Sequence, residues 1–268
     1  MSNSQPRPLA VVTGASSGIG KAYADRLAAQ DHALLLVARR QDRLTEVAAD
    51  LASRYGVPVD TLVADLEQPA DLALLEQRLA SEPVAVLVNN AGAGGLGPTA
   101  KSTADKMESL IRLNIVALTR LSQAALAGFR ARGAGTLINI GSIIAFAPSK
   151  GGAVYSGSKA YVLNFTRSLQ LEYADSGLRI QVVMPGPIRT EFFSSQGLND
   201  GIFPDQSFIT AEQLVDAALA GLAAGELVTT PTLCDPGIWA VMEAERGRYM
   251  AQVMAGTIAP HYLPATTP

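Results

Sequence analysis

Short, almost uninterrupted apolar runs alternate along the chain with longer segments in which apolar residues recur every three or four positions. The runs are LAVVT (9–13), ALLLVA (33–38), VDTLVA (59–64), VAVLVN (84–89), TLINIGS (136–142), LRIQVVMPG (178–186) and ELVTT (226–230). A nearly continuous apolar run is typical of a strand with both faces buried. The segments between them are rich in helix-forming residues. The alternation predicts an α/β protein: a doubly wound, seven-stranded parallel sheet with helices on both faces.

Two segments interrupt this rhythm. At 268 residues and 48% hydrophobic, the chain can bury a large core, and its length favours one domain, 1–268. Residues 191–209 contain glycines and phenylalanines and are expected to cover the substrate as a lid. Residues 231–268 form a C-terminal extension in which PGIWAVMEAERGRYMAQVMAG predicts an extra helix, expected to seal the substrate end or to rebuild a subunit interface.

The charge balance and the composition argue against several classes of partner. A net charge of −3 gives no basic excess for nucleic acid or an anionic membrane. The most continuous apolar run, ALLLVA, is far shorter than the ~20 residues that span a bilayer, and MSNSQPRPL lacks the pattern of a secretory signal. With one cysteine, Cys234, and only His32 and His261 as histidines, we expect a protein of the reducing cytoplasm without a metal site.

The first predicted strand runs into a glycine-rich turn, TGASSGIG (13–20), and then into a helix. Glycines let the backbone turn tightly and approach a pyrophosphate, which would lie against the exposed amides and the positive end of the helix dipole. The spacing of Gly14, Gly18 and Gly20 differs from G-x-G-x-x-G, so that fingerprint cannot be claimed. An ordinary tight turn is the alternative interpretation.

The residues at the end of the second predicted strand indicate which dinucleotide binds. Where an NAD-binding fold carries an acidic residue for the ribose hydroxyls, this chain has Arg39 and Arg40. A guanidinium can bind a 2'-phosphate through two parallel hydrogen bonds. We therefore expect NADP(H) as the cofactor. The alternative is a pair of solvated arginines that follow a strand.

Seven motifs occur in an order that resembles the short-chain dehydrogenase/reductase family, specifically its compact NADP-preferring members. They are TGASSGIG (13–20), ADL around Asp65, NNAG (89–92), Asn114, Ser142, Y-x-x-x-K (155–159) and PGPIRT (185–190). Each motif alone is weak, and the resemblance depends on their order along the chain. It implies a Rossmann-like fold, with Asp65 beside the adenine ring and with Ile188 and Thr190 beside the carboxamide.

The resemblance also assigns the rest of the cofactor site. The positions expected to bind NADP(H) are Gly14, Ser16, Ser17, Gly18, Ile19, Gly20, Arg39, Arg40, Asp65, Leu66, Asn90, Ala91, Gly92, Tyr155, Lys159, Pro185, Gly186, Ile188 and Thr190. Asn89 and the NNAG backbone are expected to support the cofactor and the fourth strand. For Asp65 a helix N-terminal cap is the alternative role, and for NNAG an ordinary loop turn.

Tyr155 and Lys159 are four residues apart and therefore share one face of a predicted helix. A carbonyl that accepts hydride needs a proton, and a group that transfers protons both ways works best with a pKa near the working pH. Tyrosine starts about three units too high, roughly 4 kcal/mol, which a cation ~4 Å away supplies only at an effective dielectric constant near ~20. We expect Tyr155 to be the general acid/base of a partly dehydrated site in which Lys159 favours the tyrosinate and, by resemblance, binds the nicotinamide ribose.

Two further polar residues complete the predicted catalytic set. Ser142, at the end of the fifth strand, is expected to hydrogen-bond the substrate oxygen as an oxyanion donor, a turn residue being the alternative. Asn114 is polar within the apolar segment RLNIVAL. It is either a residue that distorts its helix or, as the resemblance implies, part of a water relay to Lys159.

The residues around this set favour an apolar carbonyl substrate. The expected pocket residues are Leu96, Ile143, Ile144, Phe192 and Phe193, and Phe203 and Phe208 also lie in the predicted lid. Ordinary core packing of these aromatic rings is the alternative. Many members of the resembling family end with a V-D-G-G-like segment used in tetramers, which this chain lacks, so a homodimer or a homotetramer is expected.

These expectations define an NADPH-dependent carbonyl reductase that also works in reverse as an alcohol dehydrogenase on a small-molecule substrate. One alternative is a non-catalytic NADP(H)-sensing or interaction protein on the same fold, since a fold does not imply a function. Another is epimerase or dehydratase chemistry with retained cofactor, which uses the same Tyr155 and Lys159. That chemistry is disfavoured because its usual members carry a longer substrate domain and a different glycine spacing.

Overall fold

The computed structural model describes residues 6–192 and 203–263. They fall into two compact units, Met1–Pro231 and Thr232–Pro268. The first unit contains all seven motifs, and the second contains the predicted C-terminal helix. Every position of the candidate site described below therefore lies in the first unit.

The apolar runs form strands at the predicted places. The strands of the described residues are β1 (Leu9–Thr13), β2 (Ala33–Ala38), β3 (Val59–Val63), β4 (Val84–Asn89), β5 (Thr136–Ile140), β6 (Arg179–Val183), β7 (Ile188–Arg189), β8 (Ile209–Thr210) and β9 (Val228–Thr229). Within that part of the chain, seven strands form one parallel sheet in the order β3-β2-β1-β4-β5-β6-β9, and β7 pairs only with β8. The predicted sheet is confirmed.

Strand order reverses between β1 and β4, which are neighbours at the centre of the sheet. The chain first builds outward from β1 to β3 and then crosses back to place β4 on the other side of β1. In an open parallel sheet, ligands bind beyond the carboxyl ends of the strands at such a reversal. The loops that follow β1 and β4 therefore meet at the expected ligand cleft.

The strands are apolar on both faces because helices cover both faces of the sheet. In β1, Val12 belongs to a core cluster with Tyr23, whereas the preceding Val11 belongs to a second cluster with Phe129. All four side chains are completely buried. Successive strand residues point to opposite faces, so a strand between two helical layers needs an apolar residue at nearly every position.

The helices begin and end at sequence signals. In chain order they are α1 (Gly18–Ala29), α2 (Gln41–Tyr55), α3 (Pro69–Ser81), α4 (Ala104–Ile111), α5 (Leu118–Arg132), α6 (Ala153–Glu172), α7 (Ala211–Ala223) and α8 (Pro236–Met254). In α2 the buried residues Leu44, Val47 and Leu51 recur at helical spacing, and Gly56 ends the helix at φ 66°. In α7 the Thr210 and Gln213 side chains form a capping box.

The helix between β4 and β5 is continuous from Ala104 to Arg132, with a π-helical segment, Arg112–Ala117, between α4 and α5. By length and composition alone, this helix is long and apolar enough to span a membrane. However, 56% of its most apolar window is buried inside the protein. Leu121 and Phe129 pack in the core against the sheet, which accounts for the apolar composition.

The second unit contains α8, which confirms the predicted extra helix. Asp235 caps its N-terminus by accepting a hydrogen bond of 2.8 Å from the Gly237 amide, and Pro236 is the first residue of the helix. No described residue of α8 is buried. Val241 and Tyr249 are among its large exposed apolar side chains.

Candidate active site

The glycine turn after β1 is packed so closely against neighbouring atoms that it has no room for side chains. Gly14 and Gly18 have φ values of 66° and 53°, in the left-handed region that favours glycine. A Cβ on Gly14 would lie 2.7 Å from the Asn90 Nδ2 atom, and one on Gly18 would lie 3.0 Å from the Thr190 Cγ2 atom. A Cβ on Gly20 would overlap the Gly14 carbonyl. Gly14 and Gly18 line the cleft at the N-terminus of α1, where backbone amides suit a phosphate group.

The NNAG loop after β4 is fastened to this turn. The Thr13 Oγ1 atom accepts hydrogen bonds of 3.0 Å from the Asn90 and Ala91 amides. The Asn90 side chain donates to the Thr13 carbonyl at 2.9 Å and to the Gly14 carbonyl at 3.3 Å. These bonds hold together the two loops that meet at the strand-order reversal. The motif therefore does more than turn the chain.

The two arginines after β2 have different surroundings. Arg40 donates from Nη2 to the Ser17 hydroxyl at 2.7 Å and to the Ser16 hydroxyl at 3.1 Å. The Arg39 side chain is 63% exposed, and its Nη1 atom lies 3.7 Å from a Glu67 carboxylate oxygen. A guanidinium beside two hydroxyls is a donor set suited to a phosphate. Both arginines line the cleft, and Arg40 is the one that contacts the glycine turn.

Asp65 lies in the loop after β3 and lines the same cleft with Leu66. Its Oδ1 atom accepts a hydrogen bond of 3.2 Å from the Glu67 amide, as in an Asx turn. Helix α3 begins at Pro69 with Gln68 as its N-cap. Asp65 is therefore not the cap of that helix, which removes the alternative role suggested by the sequence.

Tyr155 and Lys159 lie on α6, as predicted, and both side chains are buried. Burial raises the pKa of the Tyr155 phenol to about 12, while a hydrogen bond with Ser142 acts in the opposite direction. Burial lowers the pKa of the Lys159 ammonium to about 8. The Lys159 Nζ atom donates to the Ile140 carbonyl at 2.9 Å and lies 6.0 Å from the centre of the Tyr155 ring.

Ser142 follows β5 and faces the cleft beside Tyr155. Its hydroxyl oxygen accepts a hydrogen bond of 3.4 Å from the Ile144 amide and lies 3.5 Å from the Pro185 carbonyl. Both contacts are long compared with ordinary protein hydrogen bonds. The hydrogen bond between Ser142 and Tyr155 therefore places the two hydroxyls side by side in the cleft.

Asn114 lies in the π-helical segment and is almost completely buried. Its amide group donates to the Ala93 carbonyl at 2.9 Å and to the Ser158 hydroxyl at 3.1 Å, and it accepts from the Ala93 amide at 2.9 Å. Asn114 thus joins the loop after β4 to the helix that carries Tyr155. A π-helical segment is frequent at functional sites, and a water relay to Lys159 stays a prediction.

A cleft of about 840 Å³ is lined by Ser142, Tyr155 and Lys159, whereas Asn114 lies outside its lining. Its lining includes every predicted cofactor position except Gly20, which lies beneath the turn against Gly14. It also includes the predicted pocket residues Leu96, Ile143, Ile144 and Phe192. Phe193 and part of the predicted lid lie outside the described residues.

The aromatic rings around the substrate end fall into two pairs. The centre of the Phe192 ring lies 5.8 Å from that of Tyr155. Phe203 lines the cleft and meets Phe208 edge to face at 6.3 Å. Phe192 and Phe203 therefore line the same cleft. Phe208 instead lies beside the Arg189 guanidinium, 4.9 Å from its ring centre.

Two charged residues that line the cleft were not singled out from the sequence. Glu191 directly follows the PGPIRT motif, and Lys150 lies in the loop before α6. Their positions relative to known motifs were visible in the sequence. The sequence did not show the partners of Glu191, because they are residues about 150 positions away in the chain.

The class of protein follows from where these groups lie. A cleft at a strand-order reversal, with phosphate donors at one end and a buried tyrosine at the other, is built for dinucleotide-dependent oxidoreduction. A family model described as short chain dehydrogenase matches residues 8–200. The chain belongs to the short-chain dehydrogenase family.

Similar solved structures cover nearly the whole chain. A short-chain dehydrogenase from Sphingobium yanoikuyae in complex with NADPH is 41% identical, with a TM-score of 0.91 over 95% of this chain and 100% of that one. A bulky-bulky ketone specific alcohol dehydrogenase from Comamonas testosteroni is 37% identical, with a TM-score of 0.88 over 97% of this chain and 100% of that one. Both support the parallel-sheet fold of the first unit.

Among curated relatives, the human "Inactive hydroxysteroid dehydrogenase-like protein 1" is 36% identical over 184 residues. The match covers 68% of this chain but only 56% of that protein. The chain thus spans little more than half the length of this relative. The activity or inactivity of that whole relative therefore does not carry over to this chain.

Proposed function

We propose that the protein is an NADPH-dependent reductase of ketones and aldehydes that also oxidises secondary alcohols. The observation that carries the proposal is that one cleft contains Ser142, Tyr155 and Lys159 together with the glycine turn. Arg40 and its partners Ser16 and Ser17 line the same cleft. The solved neighbour that binds NADPH and the one that is named a ketone-specific alcohol dehydrogenase support the same assignment.

The residues of the cleft fit NADP(H). Arg40, Ser16 and Ser17 would hold the 2'-phosphate, and the glycine turn would hold the pyrophosphate at the N-terminus of α1. When bound, NADPH supplies the hydride that reduces a carbonyl carbon. Lys159 would hydrogen-bond the nicotinamide ribose from its buried position on α6.

Tyr155 is the proposed proton donor. A phenol with a pKa of about 12 keeps its proton at neutral pH, as an acid for carbonyl reduction must. The Ser142 hydroxyl beside Tyr155 would donate a second hydrogen bond to the substrate oxygen as charge develops there. The Lys159 ammonium stabilises the negative charge left on Tyr155 after the proton has moved. Lowering of the Tyr155 pKa toward neutrality for the reverse reaction stays a prediction.

An apolar, bulky carbonyl compound is the proposed substrate class. Leu96, Ile143, Ile144 and Phe192 line the substrate end of the cleft. Apolar walls with a few converging polar groups orient a ligand through its carbonyl. The Comamonas testosteroni neighbour, named a bulky-bulky ketone specific alcohol dehydrogenase, supports this class.

The test is to measure the rate of NADPH oxidation, by absorbance, with each compound of a substrate panel. We expect aryl and cyclic ketones with two large substituents to be reduced faster, as judged by kcat/KM, than acetaldehyde or hydroxylated aldoses. Equal turnover of all three groups would contradict the proposed pocket. Tight NADPH binding without oxidation of NADPH by any carbonyl would instead favour the non-catalytic alternative. The word "Inactive" in the name of the human relative is a reason to test that alternative.

Replacing Arg40 by Ser should weaken NADPH binding by roughly 10- to 100-fold, since charge-assisted hydrogen bonds are worth about 1.5–3 kcal/mol. Binding of NADH should change little because NADH has no 2'-phosphate. The measurement is the Kd of each dinucleotide by fluorescence titration. Arg39→Ser is the matched control, and we expect a smaller effect because Arg39 faces Glu67. Equal effects of the two substitutions would contradict the assignment.

A further inference from the structure

Glu191 forms ion pairs with two arginines at the adenosine end of the cleft. One carboxylate oxygen lies 2.8 Å from the Arg40 Nη1 atom, and the other lies 2.5 Å from the Arg43 Nη1 atom. Hydrogen bonds from Arg40 and then Arg43 hold the pKa of the Glu191 carboxyl below its usual range. The side chain is therefore a carboxylate at neutral pH, directly beside the proposed 2'-phosphate site.

Arg40 is shared between this carboxylate and the phosphate donor set. Its Nη2 atom contacts Ser16 and Ser17, while its Nη1 atom contacts Glu191. A guanidinium binds a phosphate most strongly when two of its nitrogens face the same anion. A 2'-phosphate seated on Arg40, Ser16 and Ser17 would also lie close to the Glu191 charge. The two anions would repel each other and compete for one cation.

Arg43 is a second ion-pair partner of Glu191. It lies in the first turn of α2, one helical turn from Arg40, which is the N-cap of that helix. Its contact with Glu191 involves the other carboxylate oxygen. Glu191 can therefore give up Arg40 and still remain paired with a cation.

The neighbours of Glu191 connect this end of the cleft to the catalytic end. A Cβ on Gly18 would meet the Thr190 side chain, so Thr190 borders the glycine turn. The Thr190 Oγ1 atom accepts a hydrogen bond of 3.3 Å from the Phe192 amide, and the Phe192 ring packs beside Tyr155. Three consecutive residues thus border the phosphate turn, the 2'-phosphate arginine and the catalytic tyrosine.

We propose that Glu191 is a cofactor-discriminating residue: its carboxylate competes with the 2'-phosphate of NADP(H) for Arg40, and Arg43 retains it when the phosphate binds. The proposal rests on the NADP(H) site proposed above. A dinucleotide with a free 2'-hydroxyl brings no competing anion and leaves the Arg40 ion pair in place. Glu191 therefore lowers the affinity for the phosphorylated cofactor alone and favours its release.

The test uses nucleotide fragments that differ by one phosphate, so that binding is measured without catalysis. In Glu191→Gln, the affinity for 2',5'-ADP should rise by roughly three- to tenfold, the range expected when one or two exposed ion pairs no longer compete. The affinity for 5'-ADP should stay as in the wild type. Isothermal titration calorimetry measures both.

Glu212→Gln is the matched control, since Glu212 lines the neighbouring cavity and the substitution removes the same charge. We expect it to leave both affinities nearly unchanged. An unchanged or lowered affinity of Glu191→Gln for 2',5'-ADP would overturn the proposal, as would an equal rise for both fragments. If the wild type itself bound the two fragments equally well, the NADP(H) site would be wrong, and the role of Glu191 would fail with it.

Discussion

Tyr155→Phe lowers kcat/KM for ketone reduction by about 10²- to 10⁴-fold, the range typical of a lost general acid. The substitution removes one hydroxyl from a buried ring and leaves the packing against Phe192 intact. The Kd for NADPH should therefore stay nearly unchanged. Steady-state NADPH oxidation measures the loss, and fluorescence titration measures binding of the dinucleotide.

Tyr161→Phe is the matched control on the same helix. Tyr161 is partly exposed, and its hydroxyl lies 2.9 Å from the Thr119 hydroxyl rather than in the cleft. We expect its kcat/KM to equal that of the wild type. A Tyr155→Phe enzyme with full activity would remove the proposed proton donor. A wild-type protein that reduced no carbonyl would instead leave the non-catalytic alternative standing.

Lys159→Met should lower kcat/KM by about 100-fold at neutral pH. A cation ~6 Å from a developing negative charge is worth about 3 kcal/mol at an effective dielectric constant near ~20, which corresponds to roughly a 100-fold change in rate. The distance is that between the Lys159 Nζ atom and the centre of the Tyr155 ring. Because the Lys159 pKa is about 8, the wild-type advantage should shrink as the pH rises above that value.

Lys159→Met also tests whether Lys159 carries a buried charge, through the pH dependence of the free energy of unfolding. Burial lowers the Lys159 pKa from 10.5 in the unfolded chain to about 8 in the folded protein. Below about pH 8 both states carry the proton, and the folded state bears a penalty of about 3 kcal/mol for holding the charge. Between the two pKa values the folded protein loses its proton first, so the penalty falls as the pH rises.

The free energy of unfolding of the wild type should therefore increase relative to that of Lys159→Met across this pH window. Urea denaturation of both proteins from about pH 7 to about pH 10 measures the difference. Tyr155, with a pKa of about 12, keeps its proton throughout this range, and the tyrosines away from Lys159 ionise alike in both proteins. A pH-independent difference would show that Lys159 is not a charged group in a dehydrated site, and the rate prediction would lose its basis.

Several expectations drawn from the sequence stay predictions. They are the single-domain organisation, the cytoplasmic location, and the homodimer or homotetramer. Light scattering on the purified protein would measure its molar mass in solution. For the C-terminal extension, the expected helix is confirmed, whereas its role at the substrate end or in an interface is untested.

The sequence determined the architecture because the physics that selects strands and helices here is local. Strands buried on both faces require continuous apolar runs, and ALLLVA forms β2 over the same six residues. The four-residue spacing of Tyr155 and Lys159 placed both on one helix face, and α6 confirms that helix. The glycine turn could also be predicted from the sequence. At Gly20 the backbone lies so close to the Gly14 carbonyl that only glycine fits.

Tertiary structure alone decided the contacts between residues that are far apart in the chain. Neighbouring Arg39 and Arg40 carry the same charge, and only the folded protein turns Arg40 toward Ser16 and Ser17. Asn114 and Glu191 likewise acquired their partners from distant segments. Hydrogen bonds and ion pairs depend on distances of a few ångströms, and such distances are set only when the sheet brings separate loops to one edge.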